Sequence, residues 1–374
     1  MPQKNLDLFF FAGERSGDLI GAPLVEELSH FYHVGGVGGD LMQQHPFELL
    51  FPTSDFQVMG FIDPIKALPS LIRKFRVIRD YILLNNPKGV ILIDYPTFNI
   101  KLATALRRRG YQGKIIQYVC PSVWAWKKNR IPKMASCFDL LLTLFPFEPA
   151  CFSETTLSTH FVGHPLPHTL SQHHYNPDWR QITHLPPHTP ILALFPGSRE
   201  QEIKHNLPLL LETAKSALKH DPHLHIGLNL NHTIPLPERM HIIPSKYRYE
   251  LMRDAQSAIA KSGTVTLELA LQNCPTAVIY QMSFVNRLIA KHFLHLDLPH
   301  YCIVNILANQ TLFPEMIKTP PTPESLLSAW KPIHYSGKPR ETILNGCQTI
   351  YTSLNQPKNL AATKILEVLS SFPT

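Results

Sequence analysis

Three carboxylates and an arginine in this chain stand where a hydroxyl-bearing or anionic ligand needs them. Asp94 closes the apolar run Gly89–Ile93 and is followed by Tyr95-Pro96-Thr97-Phe98-Asn99. Pro96 is expected to stop helix formation at once and to hold Asp94 at the carboxyl edge of a sheet. Where a sugar hydroxyl is the nucleophile, its proton must leave during the attack, and Asp94 is the candidate general base. An N-cap or turn-stabilising aspartate is the plainer reading of the same position. Glu14, in Phe11-Ala12-Gly13-Glu14-Arg15-Ser16-Gly17-Asp18, follows the apolar run Leu6–Phe11 and heads a helix. Open sheets bind ligands at that edge, so Glu14 suits sugar hydroxyls. Arg199, in Phe195-Pro196-Gly197-Ser198-Arg199, is the candidate clamp for a pyrophosphate. In Lys261-Ser262-Gly263-Thr264-Val265-Thr266-Leu267-Glu268, the small residues open a helix as an anion site would. Glu268 falls four residues after Thr264, on the same helical face, and can accept from a ribose diol. Capping accounts for any one of these features; together they point to a nucleoside diphosphate.

Other signals are weaker or exclude a chemistry. Gly13, Gly17 and Gly21 do not have dinucleotide spacing, and no Gly-Lys-Ser/Thr follows, so neither a nicotinamide fingerprint nor a P-loop is present. Trp124 and Trp126, beside Lys127, Lys128 and Arg130, suit either a sugar or acyl face or a packing wedge. His160, His164 and His168 repeat every four residues, but Gly163, Pro165 and Pro167 argue against a helix there, and no metal site is expected. The net charge of +7 fits nucleic acid, an anionic membrane surface or a phosphorylated substrate, and no nucleic-acid motif accompanies it. In Ile65–Leu84, Leu68, Leu71, Ile72, Phe75, Ile78 and Ile82 form one stripe, with Lys66, Arg73, Lys74, Arg76 and Arg79 largely off it. That segment is either an amphipathic helix covering its own sheet or a basic helix grazing a membrane. Six cysteines without C-x-x-C spacing read as reduced thiols in the cytosol. With Asp7 inside any would-be signal peptide and no apolar run near the ~20 residues of a span, membrane contact is expected to be peripheral.

The elements that must position these residues alternate in a βαβ rhythm. Strand candidates are Leu6–Phe11, Tyr32–Val37, Gly89–Asp94, Lys114–Val119, Asp139–Phe145 and His160–Val162 in the first half. In the second half they are Ile191–Phe195, Leu224–Leu228, Met240–Ile243, Ala258–Ala260 and Thr276–Tyr280. A length of 374 residues fits two domains better than one core. The expected division is a Rossmann-like domain over 1–165, joined by a C-terminal helix over 356–374, and a second over 190–355. The Pro- and His-rich stretch 166–189 reads as a connector. The expected fold class is α/β, two Rossmann-like domains facing each other across a cleft.

The order of motifs is more specific than any one of them. Ala12-Gly13-Glu14 with Ser16-Gly17-Asp18, Val58-Met59-Gly60, Ile93-Asp94, Pro121-Ser122-Val123-Trp124-Ala125-Trp126, Pro146-Phe147-Glu148, Gly163-His164-Pro165, Pro196-Gly197-Ser198-Arg199 and Ser262-Gly263-Thr264 with Glu268 follow one another along the chain. In this the chain closely resembles the lipid-A-disaccharide synthase family, from about Leu6 to the last helix. The resemblance implies a GT-B glycosyltransferase and an inverting, metal-independent transfer with no cofactor. It implies UDP-2,3-diacylglucosamine as donor and 2,3-diacylglucosamine 1-phosphate (lipid X) as acceptor. The β-1′,6-linked disaccharide 1-phosphate and UDP would be the products. The resemblance implies acceptor binding for the domain over 1–165 and UDP-sugar binding for the domain over 190–355. It ties Asp94 and Arg199 to activity. Gly197, Ser198, Lys261, Ser262, Gly263, Thr264, Glu268 and Asn305 fall to the donor, and Glu14, Ser16, Met59, Asn99 and Ser122 to the acceptor sugar. It also implies work at the inner face of the cytoplasmic membrane and is compatible with a homodimer. Two positions depart from the family: Thr97 stands where a second Asp is usual, and Gln281 where Arg or Lys follows the tyrosine matching Tyr280, with Lys261 expected to make up that charge. A related enzyme acting on a soluble UDP-sugar, and a non-catalytic UDP or lipid binder, are the alternatives on the same scaffold.

Overall fold

The computed structural model describes residues 6–56, 64–280, 298–316 and 320–370, with only the backbone course given for 64–68. The chain divides into two units, one formed by Met1–Pro165 with Gln356–Thr374 and the other by Leu166–Asn355. Each is built on its own parallel sheet.

The first unit carries seven strands: β1 (Leu8–Ala12), β2 (Val34–Gly38), β3 (Glu48–Pro52), β4 (Gly89–Ile93), β5 (Lys114–Tyr118), β6 (Leu140–Thr143) and β7 (Ser158–Phe161). Their spatial order is β3-β2-β1-β4-β5-β6-β7. β1, β4 and β6 are buried along their whole length, which explains why they read as unbroken apolar runs instead of alternating ones. Helices cover both faces. Ile78 and Ile82 of α2 (Pro64–Asn85) and Leu102 and Leu106 of α3 (Pro96–Arg108) pack on one side with Phe9, Phe11 and Leu92. Leu24, Val25 and Leu28 of α1 (Arg15–Leu28) pack on the other. They are joined there by Ala361, Ala362, Ile365 and Leu369 of the helix Leu360–Ser370. The chain order reverses between β1 and β4, so the loops leaving these two strands open the crevice where such sheets take ligands.

The second unit repeats the plan with β8 (Ile191–Phe195), β9 (His225–Asn229), β10 (Met240–Ile243), β11 (Ser257–Lys261), β12 (Thr276–Ile279) and the two-residue β13 (Glu315–Met316). The order β10-β9-β8-β11-β12-β13 places its reversal between β8 and β11. Among the described residues no helix is long and apolar enough to cross a membrane. The two parallel sheets with flanking helices are the α/β class that the alternating runs predict.

Three expectations need correction, and one strand goes beyond them. Pro96 does not stop a helix; it is the first residue of α3. A helix also forms over Pro165–Ser171, where Gly163, Pro165 and Pro167 argue against one. The reason is the same in both places. The first-turn N–H groups of a helix have no intrahelical partner, so proline there loses nothing and its fixed φ suits the helix. The stretch 166–189 is more than a connector: Trp179, in the short helix Trp179–Ile182, is buried in the second unit's core beside Leu185 and Leu251. Finally, β3 escapes the sequence pattern because it is an edge strand with little buried surface.

Candidate functional site

In the first unit the candidate acceptor residues gather at the β1/β4 reversal. Asp94 leaves β4 with φ +51°, and Tyr95 follows with φ +44°. Two consecutive non-glycine residues in the left-handed region turn the chain abruptly into α3. Tyr95 is braced by its hydroxyl, which donates to the Phe56 carbonyl at 3.1 Å, and by ring contacts with Phe11 and Phe98. The turn leaves Asp94 half-buried, with Ser16 Oγ donating to its Oδ2 at 3.2 Å.

Asp94 borders two cavities. One, of about 640 Å³, has Glu14, Tyr95 and Thr97 among its polar lining residues. Apolar Leu71, Ile72, Phe75 and Phe98 line it, with Arg76, Arg79 and Lys101 among them. The other, of about 280 Å³, is lined by Ser122, Trp124, Trp126, Lys127, Arg130 and Glu148. A carboxylate, an apolar trough and several cations therefore share one edge of the sheet. Thr97, where a second carboxylate is usual, accepts instead from Arg130 at 2.9 Å. The tryptophans divide the two roles read from sequence. Trp124 packs edge-on against Phe147, whereas Trp126 is exposed with Lys127 Nζ 4.0 Å from its ring centre. Glu148 is sealed beneath, its Oε2 accepting from the Leu144 and Phe145 N–H groups at 3.2 and 3.0 Å. Burial pushes its carboxyl up to about 7, against the opposing pull of those hydrogen bonds and of Trp124.

Asn99 does not face a ligand. It is fully buried, and its amide nitrogen donates to the Asp94 carbonyl and to Gln117 Oε1. Met59, with Val58 and Gly60, lies outside the described residues, as does Gln281.

The second unit collects the donor candidates at the β8/β11 reversal. Gly197, Ser198, Lys261, Gly263, Thr264 and Glu268 line one cavity of about 480 Å³. Gly197 has φ +130°, and a side chain there would strike Glu202, so glycine is required. The helix Glu200–His220 starts at this turn, and Glu202 folds back over its start. Its Oε2 accepts from the Ser198 N–H at 3.2 Å and the Arg199 N–H at 3.5 Å, while Oε1 accepts from Lys261 Nζ at 2.9 Å. Burial raises the Glu202 carboxyl, but Lys261 and those N–H groups outweigh it and hold the group below its ordinary value. Glu202 thus occupies these donors as a capping-box carboxylate. Arg199 extends into solvent, its side chain 84% exposed and its nearest nitrogen 3.8 Å from Glu202. Lys261, expected to supply charge beside Tyr280, stands with Nζ 5.3 Å from that ring's centre.

Glu268 sits at the cavity wall, Oε1 accepting from Arg248 at 3.0 Å and from the Tyr249 hydroxyl at 3.1 Å. Two donor candidates are not among the residues that line this cavity. Ser262 adjoins it, its N–H donating to the Ile279 carbonyl at 2.7 Å and continuing the sheet. Asn305 is fully buried, its amide bonded to the backbone of Leu312 and Phe313. Sequence reasoning passed over Glu202, Arg248 and Gln117. Of these only Glu202 carries a local signal, an acidic residue at the third helical position reaching back to the N-cap N–H.

The family model for lipid-A-disaccharide synthetase matches residues 8–369. The chain belongs to the lipid-A-disaccharide synthase family. It is 37% identical over 377 residues to the lipid-A-disaccharide synthase of Chlamydia trachomatis serovar D, a match covering 97% of this chain and 61% of that protein. It is 35% identical over 341 residues to that of Cellvibrio japonicus, covering 87% of each. The chain thus spans about 61% of the length of the chlamydial relatives it matches. Among solved structures it resembles the glycotransferase of kitacinnamycin, with a TM-score of 0.65 at 13% identity covering 96% of this chain and 98% of the other. It also resembles a putative UDP-N-acetylglucosamine 2-epimerase from Listeria monocytogenes, with a TM-score of 0.64 at 12% identity covering 98% and 96%. At such identities the likeness concerns the fold, which is that of the GT-B glycosyltransferases.

Proposed function

We propose that this member of the lipid-A-disaccharide synthase family is an inverting glycosyltransferase that joins two acylated glucosamines. UDP-2,3-diacylglucosamine is the donor and 2,3-diacylglucosamine 1-phosphate the acceptor. The acceptor 6-hydroxyl oxygen attacks the donor anomeric carbon as the bond from that carbon to the diphosphate breaks. Asp94 takes the hydroxyl proton, and UDP departs with the bonding electrons. Charge growing on the diphosphate is met by Arg199, Lys261 and the start of the helix Glu200–His220, a preorganised electrostatic effect for which this reading needs no metal. Glu268 holds the ribose.

The observation that carries the reading is Asp94, presented on its left-handed turn at the head of a trough both apolar and cationic. An acylated sugar phosphate requires that combination, and a soluble sugar does not. The outer face of α2 supports a peripheral attachment to the anionic inner face of the cytoplasmic membrane. Ile72, Val77 and Leu84 are exposed there among Arg73 and Arg76.

The test is turnover of synthetic donor and acceptor followed by mass spectrometry. The disaccharide 1-phosphate and UDP are expected, with Asp94→Ala slowing the reaction on the order of 100-fold or more. Undiminished turnover by Asp94→Ala would remove the base. Equal turnover of unacylated UDP-N-acetylglucosamine would replace the reading with a transferase acting on soluble sugars.

A further inference from the structure

Where the two loops that border the Trp-lined cavity leave β4 and β5, three residues hold positive φ: Asp94 at +51°, Tyr95 at +44° and Val119 at +76°. None is glycine, and a β-branched valine is strongly disfavoured there. Such a backbone persists only where its surroundings hold it, and here two buried amides do so. Gln117, on β5 and 1% exposed, sets its Nε2 3.1 Å from the Asp94 carbonyl, 3.2 Å from that of Tyr118 and 3.1 Å from that of Val119. Asn99, fully buried on α3, donates to the same Asp94 carbonyl and, at 3.2 Å, to Gln117 Oε1. One amide therefore ties the turn after β4 to the turn after β5, and the other locks the first. Asn99 Oδ1 is itself buried without a hydrogen-bond partner among the described residues, a cost to folding that packing alone gives no reason to keep.

We propose that Gln117 and Asn99 are positioning residues that set the direction of the Asp94 carboxylate through its own carbonyl. The proposal rests on the reading of Asp94 as the base. Neither amide touches substrate. They act by holding the carboxylate along the path of the departing proton, where a displacement near 1 Å can cost ~100-fold in rate.

The test is a double-mutant cycle in the full chain, with kcat and KM measured for both acylated substrates. Gln117→Met keeps the side-chain volume and removes the donors, and is expected to lower kcat about 10- to 100-fold with KM unchanged. In the background of Asp94→Ala the same change is expected to have no further effect, because it acts only through the residue already removed. A loss of equal size in both backgrounds, or a rise in KM with kcat intact, overturns the proposal and assigns Gln117 to general structure. Thermal melts accompany each variant. Should Gln117→Met fail to fold, Asn99→Ser reaches the same carbonyl from α3 and carries the same expectation. Undiminished activity of Asp94→Ala alone instead removes the base itself, so the two failures are distinguishable.

Discussion

Glu148 provides a prediction whose sign and size both follow from its surroundings. Glu148 is 2% exposed, and burial is the largest influence on its carboxyl, opposed by the Leu144 and Phe145 N–H groups and by Trp124. The carboxyl is raised from the ordinary 4.5 to about 7. Between those values the unfolded chain has released the proton that the folded chain keeps. Folding is therefore favoured most at low pH, and the contribution disappears as pH rises through about 7. The interval corresponds to ~3 kcal/mol at about 1.4 kcal/mol per pH unit, an order-of-magnitude figure.

Glu148→Gln isolates this effect. The glutamine carbonyl can accept both N–H groups, while the charge that resists burial is gone. Any loss of the Trp124 contact is the same at every pH, so the informative quantity is the slope of the difference between the two proteins. Urea unfolding of each at pH 5, 6, 7 and 8, followed by tryptophan fluorescence, gives that difference. The stability of the glutamine variant relative to wild type should climb by up to ~3 kcal/mol from pH 5 to pH 8, most of it below about pH 7. All other titrations common to the two proteins cancel. A difference that stays level with pH, or that grows toward acid, refutes the reasoning. It would mean that Glu148 is ionised in the fold and stabilised by its hydrogen bonds.

Arg199→Ala should lower kcat/KM for UDP release on the order of 100-fold. Its thermal stability should match wild type, since the side chain is 84% exposed; a loss under about threefold would take Arg199 out of the charge stabilisation. On α2, Ile82→Ala should cost ~2–5 kcal/mol in stability because Ile82 is fully buried in the core. Ile72→Ser and Leu84→Ser should leave stability within ~0.5 kcal/mol yet weaken sedimentation with phosphatidylglycerol vesicles. Vesicle binding that is indifferent to those two changes and to added salt would end the membrane role of this face.

How far the fold and site could be read from residues alone depended on the range of the physics involved. Most strands were located to within two residues, because a central strand of a parallel sheet is buried on both faces and writes itself as a short apolar run. The largely exposed β3 and the two-residue β13 were not, although the edge strands β7 and β10 were: β3 buries little surface and β13 is too short to register as a run. The helix α2 was ambiguous for a good reason. Ile78 and Ile82 are core, Ile72 and Leu84 are exposed, and Lys74 is spent on Asp55 at 3.1 Å. A one-dimensional stripe merges faces that the fold separates. Proline was over-weighted as a breaker at Pro96 and Pro165, where it opens helices. Asn99 sits within a motif and Asn305 is implied by resemblance, neither of which reveals which way an amide points; both are fully buried.

Apart from the local bonds of Glu202 to its own turn, the pairings that sequence did not disclose join a site to a distant strand or helix. Lys261, at the end of β11, is 59 residues from Glu202, and Arg248 lies 20 residues before Glu268. Gln117 reaches the Asp94 carbonyl across 23 residues. Parallel sheets enforce this separation, because neighbouring strands must be joined by crossovers, so groups adjacent at a carboxyl edge are necessarily remote in the chain. A glycine turn or a carboxylate at a strand end is a local feature and can be found by spacing. The side chain that aims it belongs to the next strand over, and its register is decided by the sheet. In both units the local motif therefore marks the place where chemistry is possible. The direction of the reacting group is set by a buried or half-buried residue one strand or helix away, and that is where substitutions should separate rate from folding.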